Sequence, residues 1–314
     1  MVASQTQSKV LFENTFHIED LAVFDDETLH EILSGGFGVT MEQLASSLQN
    51  TSQSLLQRIE QNLPSQQLPD FMRGQPLSPG KREQARRQVL DSLFWELTYR
   101  KTPQLYEELT EGERLHPGIF QRLDADVRGK VVVDIGAGSG RASLECVLHG
   151  AACVYAVDPS PGLLHILQRK LAQNSGPQRI IPRKGRFDAI PLEDASVDIA
   201  ISCSAFTAAP EQGGEPGLME MKRVTKPGGK IVLIWPCPQD HQWLMRQGFH
   251  YVVLPLDRDM YVHFRSLQSA LRCAQHFYAQ NAAVAHYILT KHQPNVPFSV
   301  IGINPPHDYC WLEV

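Results

Sequence analysis

The sequence predicts an α/β protein: an open, mostly parallel sheet with helices on both faces, preceded by a small all-α domain. Three observations carry this. From about residue 130, short apolar runs dominated by β-branched residues alternate with helical stretches. The first of these runs opens into a glycine-rich turn at DIGAGSGR. The first hundred residues contain instead a series of short amphipathic helices with explicit start signals.

The N-terminal helices come first. Asp25-Asp26 precede Leu29, Ile32 and Leu33. Thr40 and Gln43 have capping-box spacing ahead of Leu44 and Leu48, and Asn50 leads into Leu55, Leu56, Ile59 and Leu63. Each apolar set falls on one helical face. After a stretch punctuated by Pro64, Pro69 and Pro76, Ser78-Pro79 supplies a cap and a first-turn proline for one helix carrying Ala85, Val89, Leu93 and Leu97. A domain boundary is expected near residue 100, giving a helical domain over 1–100 and an α/β domain over 101–314.

VVVDI, CVYAV, VDIAIS and KIVLIW are the expected strands of the second part. Runs of this length that are apolar on both faces suit central parallel strands, and their spacing suits right-handed βαβ crossovers. A helical insertion is expected at about 260–292, where Leu267, Leu271, Ala274 and Phe277 keep helical spacing. Just before it, Tyr261, His263 and Arg265 alternate as in an extended segment. VPFSVIGI reads as the last, antiparallel strand, with the following NPPH (Asn304 to His307) as its terminator.

Net charge is −5, with 42% hydrophobic and 20% charged residues. That balance fits a folded globular chain and gives no general attraction to polyanions. The basic groups Lys81, Arg82, Arg86, Arg87 and Arg179, Arg183, Lys184, Arg186 lack interleaved aromatics and read as solvated faces, so nucleic acid is not an expected partner. No apolar run reaches the roughly 18 residues of a membrane span. The first ten residues do not resemble a signal peptide, so the expected location is cytoplasmic. Six cysteines lack C-x-x-C spacing and twelve histidines lack helix-face pairing, so no metal site is expected.

Strand, glycine turn and helix N-terminus together present backbone N–H groups to a polar ligand. Dinucleotide enzymes usually space the glycines G-x-G-x-x-G; here Gly136, Gly138 and Gly140 stand at alternate positions, two residues after Asp134. This pattern resembles motif I of the class I S-adenosylmethionine-dependent methyltransferases. Asp158 in AVDPS fits the acidic end of that family's second strand. GRFDAIPLEDASVD fits its third motif, with Arg186 and Phe187 at two departing positions. MKRVTKPGGKIVLIW fits its fifth element. The resemblance spans about residues 106–255 and is nearest to the small-molecule branch.

That resemblance implies a Rossmann-like sheet of seven strands and S-adenosyl-L-methionine as cofactor. The implied cofactor residues are Asp134, Gly136, Ala137, Gly138, Ser139, Gly140, Asp158, Pro159, Phe187, Asp188, Ser202 and Cys203. It also implies a small-molecule acceptor methylated by in-line displacement. Tyr106 and His116 in the leading segment, with Tyr261 and His263 near the insertion, are the candidate catalytic residues, expected to contact the acceptor. The alternatives are an RNA or protein acceptor and a non-catalytic nucleoside-binding scaffold. In the amine methyltransferases an N-P-P-aromatic tetrapeptide follows the fourth strand; here SCSAF (Ser202 to Phe206) holds that place, so NPPH is expected to be non-catalytic.

FDDETLHEIL, MEQLASSLQNTSQSLLQRIEQNLP and KREQARRQVLDSL are similar to the C-terminal helical domain of the flagellar motor switch protein. This covers about residues 20–98. It implies a compact helical module, serving as a substrate-covering cap or as a contact surface for a protein partner.

Overall fold

The start signals read from the sequence are used almost as written in the computed structural model, which describes residues 15–63, 77–173 and 179–314. Helix α1 (Asp26–Leu33) begins where Asp25 accepts the Thr28 amide at 3.0 Å. Helix α2 (Met41–Ser47) carries the Thr40/Gln43 capping box. For α3 (Gln53–Asn62) the cap is Ser52 rather than Asn50, which takes a left-handed φ of 59° in the preceding turn. The expected long helix after Ser78-Pro79 is two helices, α4 (Pro79–Ser92) and α5 (Phe94–Lys101), hinged at the fully buried Leu93. The Pro64–Pro76 stretch and the first ten residues lie outside the described residues.

The chain divides into two compact units, 1–105 with 264–296 and 106–263 with 297–314. The insertion expected at about 260–292 inside the α/β domain therefore groups, as 264–296, with the N-terminal helices. The reason is a shared core. His276, on α12 (Leu267–Phe277), lies between Phe16, Phe94 and Phe277, and its Nε2 is 3.0 Å from the Thr98 hydroxyl. Helix α13 (Ala282–Lys291) completes the insertion. Phe24, Leu29, Leu44, Leu48, Ile59, Leu93 and Leu97 form the buried apolar centre of this unit.

The second unit takes in most of α6 (Pro103–Gly112), then α7 (Gly118–Val127), before its sheet begins. Strands β1 (Val131–Ile135), β2 (Cys153–Asp158), β3 (Ile180–Lys184), β4 (Val197–Cys203), β5 (Thr225–Ile234) and β6 (His250–Val253) follow in the chain. A short β7 (Tyr261–His263) and β8 (Asn295–Pro297) precede β9 (Asp308–Glu313). Seven strands form one sheet in the order β3-β2-β1-β4-β5-β9-β6, parallel except for β9, which runs antiparallel to both neighbours. Helices α8 (Arg141–Leu148), α9 (Pro161–Gln173), α10 (Gly214–Val224) and α11 (His241–Arg246) accompany the strands. Two apolar layers, one containing Val132, Val154, Leu167 and Ile201 and one containing Val133, Ile135, Ala200 and Leu233, show the strands covered on both faces. This is the Rossmann-like α/β sheet that the alternation predicts.

One expectation is reversed. VPFSVIGI is not the last strand: after β8 it turns into the short helix α14 (Phe298–Ile301), closed by Gly302 at φ 82°. NPPH therefore precedes the antiparallel strand instead of ending it. DYCWLE makes the ladder because Tyr309 and Trp311 fill one apolar layer while Cys310 and Leu312 fill the other.

Candidate functional site

The order of strands reverses between β1 and β4, and the crevice at their carboxyl ends is where ligands bind in open α/β sheets. The glycine loop after β1 lies at that point. A small cavity there, of about 20 Å³, is lined by Tyr106, Thr110, Asp134, Gly136, Ala137, Gly138, Ser139, Arg141, Ala142 and Cys203. Four elements contribute to it: α6, the β1 end with its loop, the start of α8, and the β4 end.

The loop is held from below. Asp158, at the end of β2, accepts the Gly138 amide at 2.7 Å and the Ser160 amide at 2.8 Å, one with each carboxylate oxygen. Gly140 enters α8 at φ 93°, and a Cβ there would lie 2.5 Å from a methyl of the buried Leu167. Lys170 on α9 donates to the Ser139 carbonyl at 3.1 Å and pairs with Glu107 of α6, which brings the neighbouring Tyr106 over the loop. The cavity wall is thus set by four separate ties.

Its polar groups are strongly perturbed. Asp134 is almost fully buried; its Oδ2 accepts the Ser143 hydroxyl at 2.6 Å, while its Oδ1 has no protein partner. Burial raises its pKa to about 6 against the opposing Ser143 hydrogen bond. Outside the cavity lining, the buried Ser202 hydroxyl also lacks a protein partner. Orphaned buried polar atoms are rare because each costs about 1–3 kcal/mol, so a polar ligand completing them is the economical reading. Burial also raises the Tyr106 phenol and the Cys203 thiol, so Cys203 is a poor nucleophile.

Asp134, Gly136, Ala137, Gly138, Ser139 and Cys203 of the expected cofactor set line the cavity, together with Tyr106. Gly140 and Asp158 support it as described, whereas Ser202, one residue before Cys203 on β4, is not among its lining residues. Phe187 stands beside it: a Cβ on Gly136 would meet its ring at 3.2 Å, and it packs edge-to-face on Phe206. Pro159 and Asp188 are exposed, Asp188 pairing with Arg186 at 3.3 Å. The other three expected acceptor contacts, His116, Tyr261 and His263, line a second, wider cavity with Arg114 and Arg258. The short segment Glu113–His116 borders both, with Glu113 tied to Arg141 of the first. The imidazole of His116 is committed to structure, its Nδ1 accepting the Gly118 amide at 3.1 Å.

Sequence reasoning missed Thr110, Glu113 and Arg141. Arg141 had a signal: a cation at the first position of a helix opposes the helix dipole and needs another reason to be there. Glu113 had none, because only the fold brings it to Arg141.

Residues 132–229 match the family model described as "Methyltransferase domain". An uncharacterized methyltransferase of Mycobacterium bovis is 35% identical over 104 residues, covering 33% of this chain and 39% of that protein. The dimethylglycine N-methyltransferase of Parasynechococcus marenigrum is 29% identical over 157 residues, covering 44% of this chain and 55% of that one. The chain thus spans about two fifths to just over half the length of these relatives. A crystal structure of an S-adenosylmethionine dependent methyltransferase from Mesorhizobium loti aligns at 23% identity with a TM-score of 0.32, covering 37% of this chain and 51% of that one.

Proposed function

We propose that this chain, whose residues 132–229 form a class I S-adenosylmethionine-dependent methyltransferase domain, methylates a small-molecule acceptor. The single observation that carries the reading is the unpartnered Asp134 Oδ1 in a cavity floored by the glycine loop. The residues present fit the cofactor: the buried Asp134 carboxylate, with one oxygen unpartnered, lines the cavity where a cationic group of a ligand would complete it.

S-adenosylmethionine, when bound, supplies a methyl group already activated on a sulfonium. The protein's part is positioning and exclusion of water. Asp134 offers a carboxylate oxygen to an ammonium donor. Tyr106 lines the same cavity from α6. A small acceptor is supported by the second cavity beside the Glu113–His116 segment, of about 680 Å³ and lined by Tyr261, His263, Arg114 and Arg258. The name of the dimethylglycine relative is consistent with an acceptor of this size.

Isothermal titration with S-adenosylmethionine and S-adenosylhomocysteine, followed by methyl transfer from labelled cofactor to a panel of amines, carboxylates and phenols, tests the reading. Micromolar binding of both ligands, with transfer to at least one panel member, is expected. No binding of either sinks it.

A further inference from the structure

The second cavity lies wholly within the unit that carries the sheet, and main-chain ties pin its walls. The His116 amide donates to the Pro306 carbonyl at 2.8 Å. The Leu254 amide donates to the His307 carbonyl at 2.8 Å, just ahead of the lining residues 256–261, and the Phe298 amide donates to the Met260 carbonyl at 3.0 Å. The end of α6 is pressed against β7, since a Cβ on Gly112 would lie 2.9 Å from Val262 Cγ1. A space of about 680 Å³ bounded in this way is of the size that encloses a small organic molecule.

Its polar lining is rich in donors. Arg114 comes from the segment after α6 and Arg258 from the loop before β7, and neither guanidinium has a hydrogen-bond or ion-pair partner among the described residues. The Nδ1 of His116 accepts the Gly118 amide at 3.1 Å. A neutral imidazole with that nitrogen occupied carries its proton on Nε2, so His116 serves as a donor and not as a base. The opposing charges are Asp257 and Asp259, of which the second accepts the Ser299 hydroxyl at 3.1 Å. Leu115, Leu256 and Met260 supply apolar wall. Guanidinium forks match a planar carboxylate, while two aspartates in the same cavity oppose a dianion more than a single negative charge. An organic body bearing one carboxylate fits this combination.

Resting on the methyltransferase reading, we propose that the second cavity takes a small carboxylic acid as the methyl acceptor, its carboxylate held by Arg114 and Arg258. The carboxylate is the handle by which the acceptor is chosen, and the two arginines set the specificity.

The test uses the full chain and a matched pair of probes, benzoate and benzamide, close in size and different in charge. Their affinities are read by ligand-observed NMR titration, with and without saturating S-adenosylhomocysteine. Wild type is expected to bind benzoate roughly tenfold to a hundredfold more tightly than benzamide, the range of one charged hydrogen-bonded contact. Arg114→Gln and Arg258→Gln should each reduce that ratio, and the double variant should bring it close to unity, while benzamide and S-adenosylhomocysteine bind as before. The unchanged affinity for S-adenosylhomocysteine guards against a folding artefact. Inorganic phosphate should bind more weakly than benzoate. Equal binding of benzoate and benzamide by wild type, a ratio that survives the double variant, or tighter binding of phosphate than of benzoate overturns the assignment. Failure of S-adenosylhomocysteine to bind while benzoate is still preferred sinks the methyltransferase reading and leaves the carboxylate site standing.

Discussion

The carboxylate of Asp158 accepts the Gly138 amide at 2.7 Å, so the second strand fixes the shape of the loop that follows the first. Its other oxygen holds the Ser160 amide at the start of α9. Asp158→Asn presents an NH₂ to one of two N–H donors. A charged hydrogen bond of about 1.5–3 kcal/mol is lost, and S-adenosylhomocysteine should bind at least tenfold more weakly by calorimetry. Intact affinity would show that the loop holds its shape without this tie.

Glu113 sets a stability trend with pH. Its ordinary value is 4.5 and burial raises it to about 7 in the folded chain, so the folded state favours the protonated form. The resulting stabilisation is complete below about 4.5 and is lost as pH rises toward about 7. His276, in the other unit, has the opposite sign over part of this window, so the comparison must be between variants. Glu113→Gln, relative to wild type, should gain melting temperature progressively from pH 5 to pH 7.5. A constant difference between the two melting curves over that range rules the titration out.

His276 supplies the opposite case. It is buried among aromatic rings, and desolvation lowers its pKa from 6.5 to about 4. A histidine held neutral contributes stability that is present above about 6.5 and lost as pH falls toward 4. Amide exchange in α12 should therefore accelerate between pH 6.5 and 4.5, after correction for intrinsic rates. His276→Gln should abolish that dependence even if it lowers stability throughout.

These groups mark where the sequence could and could not be read. The strand runs, the glycine loop and Asp158 were legible because local pattern and a fixed spacing determine them. Thr40 with Gln43 was legible for the same reason. Leu93 was placed inside a single helix because its apolar spacing is right for one; a break between two helices on the same core leaves that spacing unchanged. VPFSVI was read as a strand from β-branched composition, yet Gly302 in the left-handed region closes a helical turn there. The grouping of 264–296 with the first helices rests on His276 meeting Phe16, Phe94 and Thr98, and no periodicity encodes a contact across 178 residues. Glu113 and Arg141 were invisible as a pair for that reason too.

The Pro227-Gly228-Gly229 segment, in the irregular first half of β5, separates two kinds of glycine. Gly228 has φ 76° with open space around a Cβ, so Gly228→Ala should cost only the left-handed penalty, about 1–2 kcal/mol. A Cβ on Gly229 would lie 2.6 Å from the Asp198 carbonyl and 2.8 Å from that of Lys226, both backbone. Gly229→Ala must therefore move β5 away from β4 and should cost clearly more, about 3 kcal/mol or above. Urea denaturation of both variants checks the order, and equal costs would mean that the β4–β5 contact yields easily.

The NPPH tetrapeptide sits beside the sheet's carboxyl edge and still does no chemistry in this reading. The Trp235 indole donates to the main-chain carbonyl of Asn304 at 2.9 Å, and the Pro306 carbonyl accepts the His116 amide at 2.8 Å. His307 is tied in turn to the Leu254 carbonyl through Nδ1 at 2.7 Å. The segment thus braces Trp235, whose ring lies under Arg141, and it does so with backbone atoms. Asn304→Ala keeps that carbonyl and should leave methyl transfer within about twofold. Trp235→Phe keeps an aromatic face but removes the donor along with part of the ring system, costing at least about 1 kcal/mol of stability. If Asn304 instead contacted an acceptor amine, Asn304→Ala would lose at least a hundredfold in kcat with cofactor affinity unchanged. Single-turnover rates for the two variants decide between a brace and a catalytic group, because only the second makes the side chain of Asn304 matter.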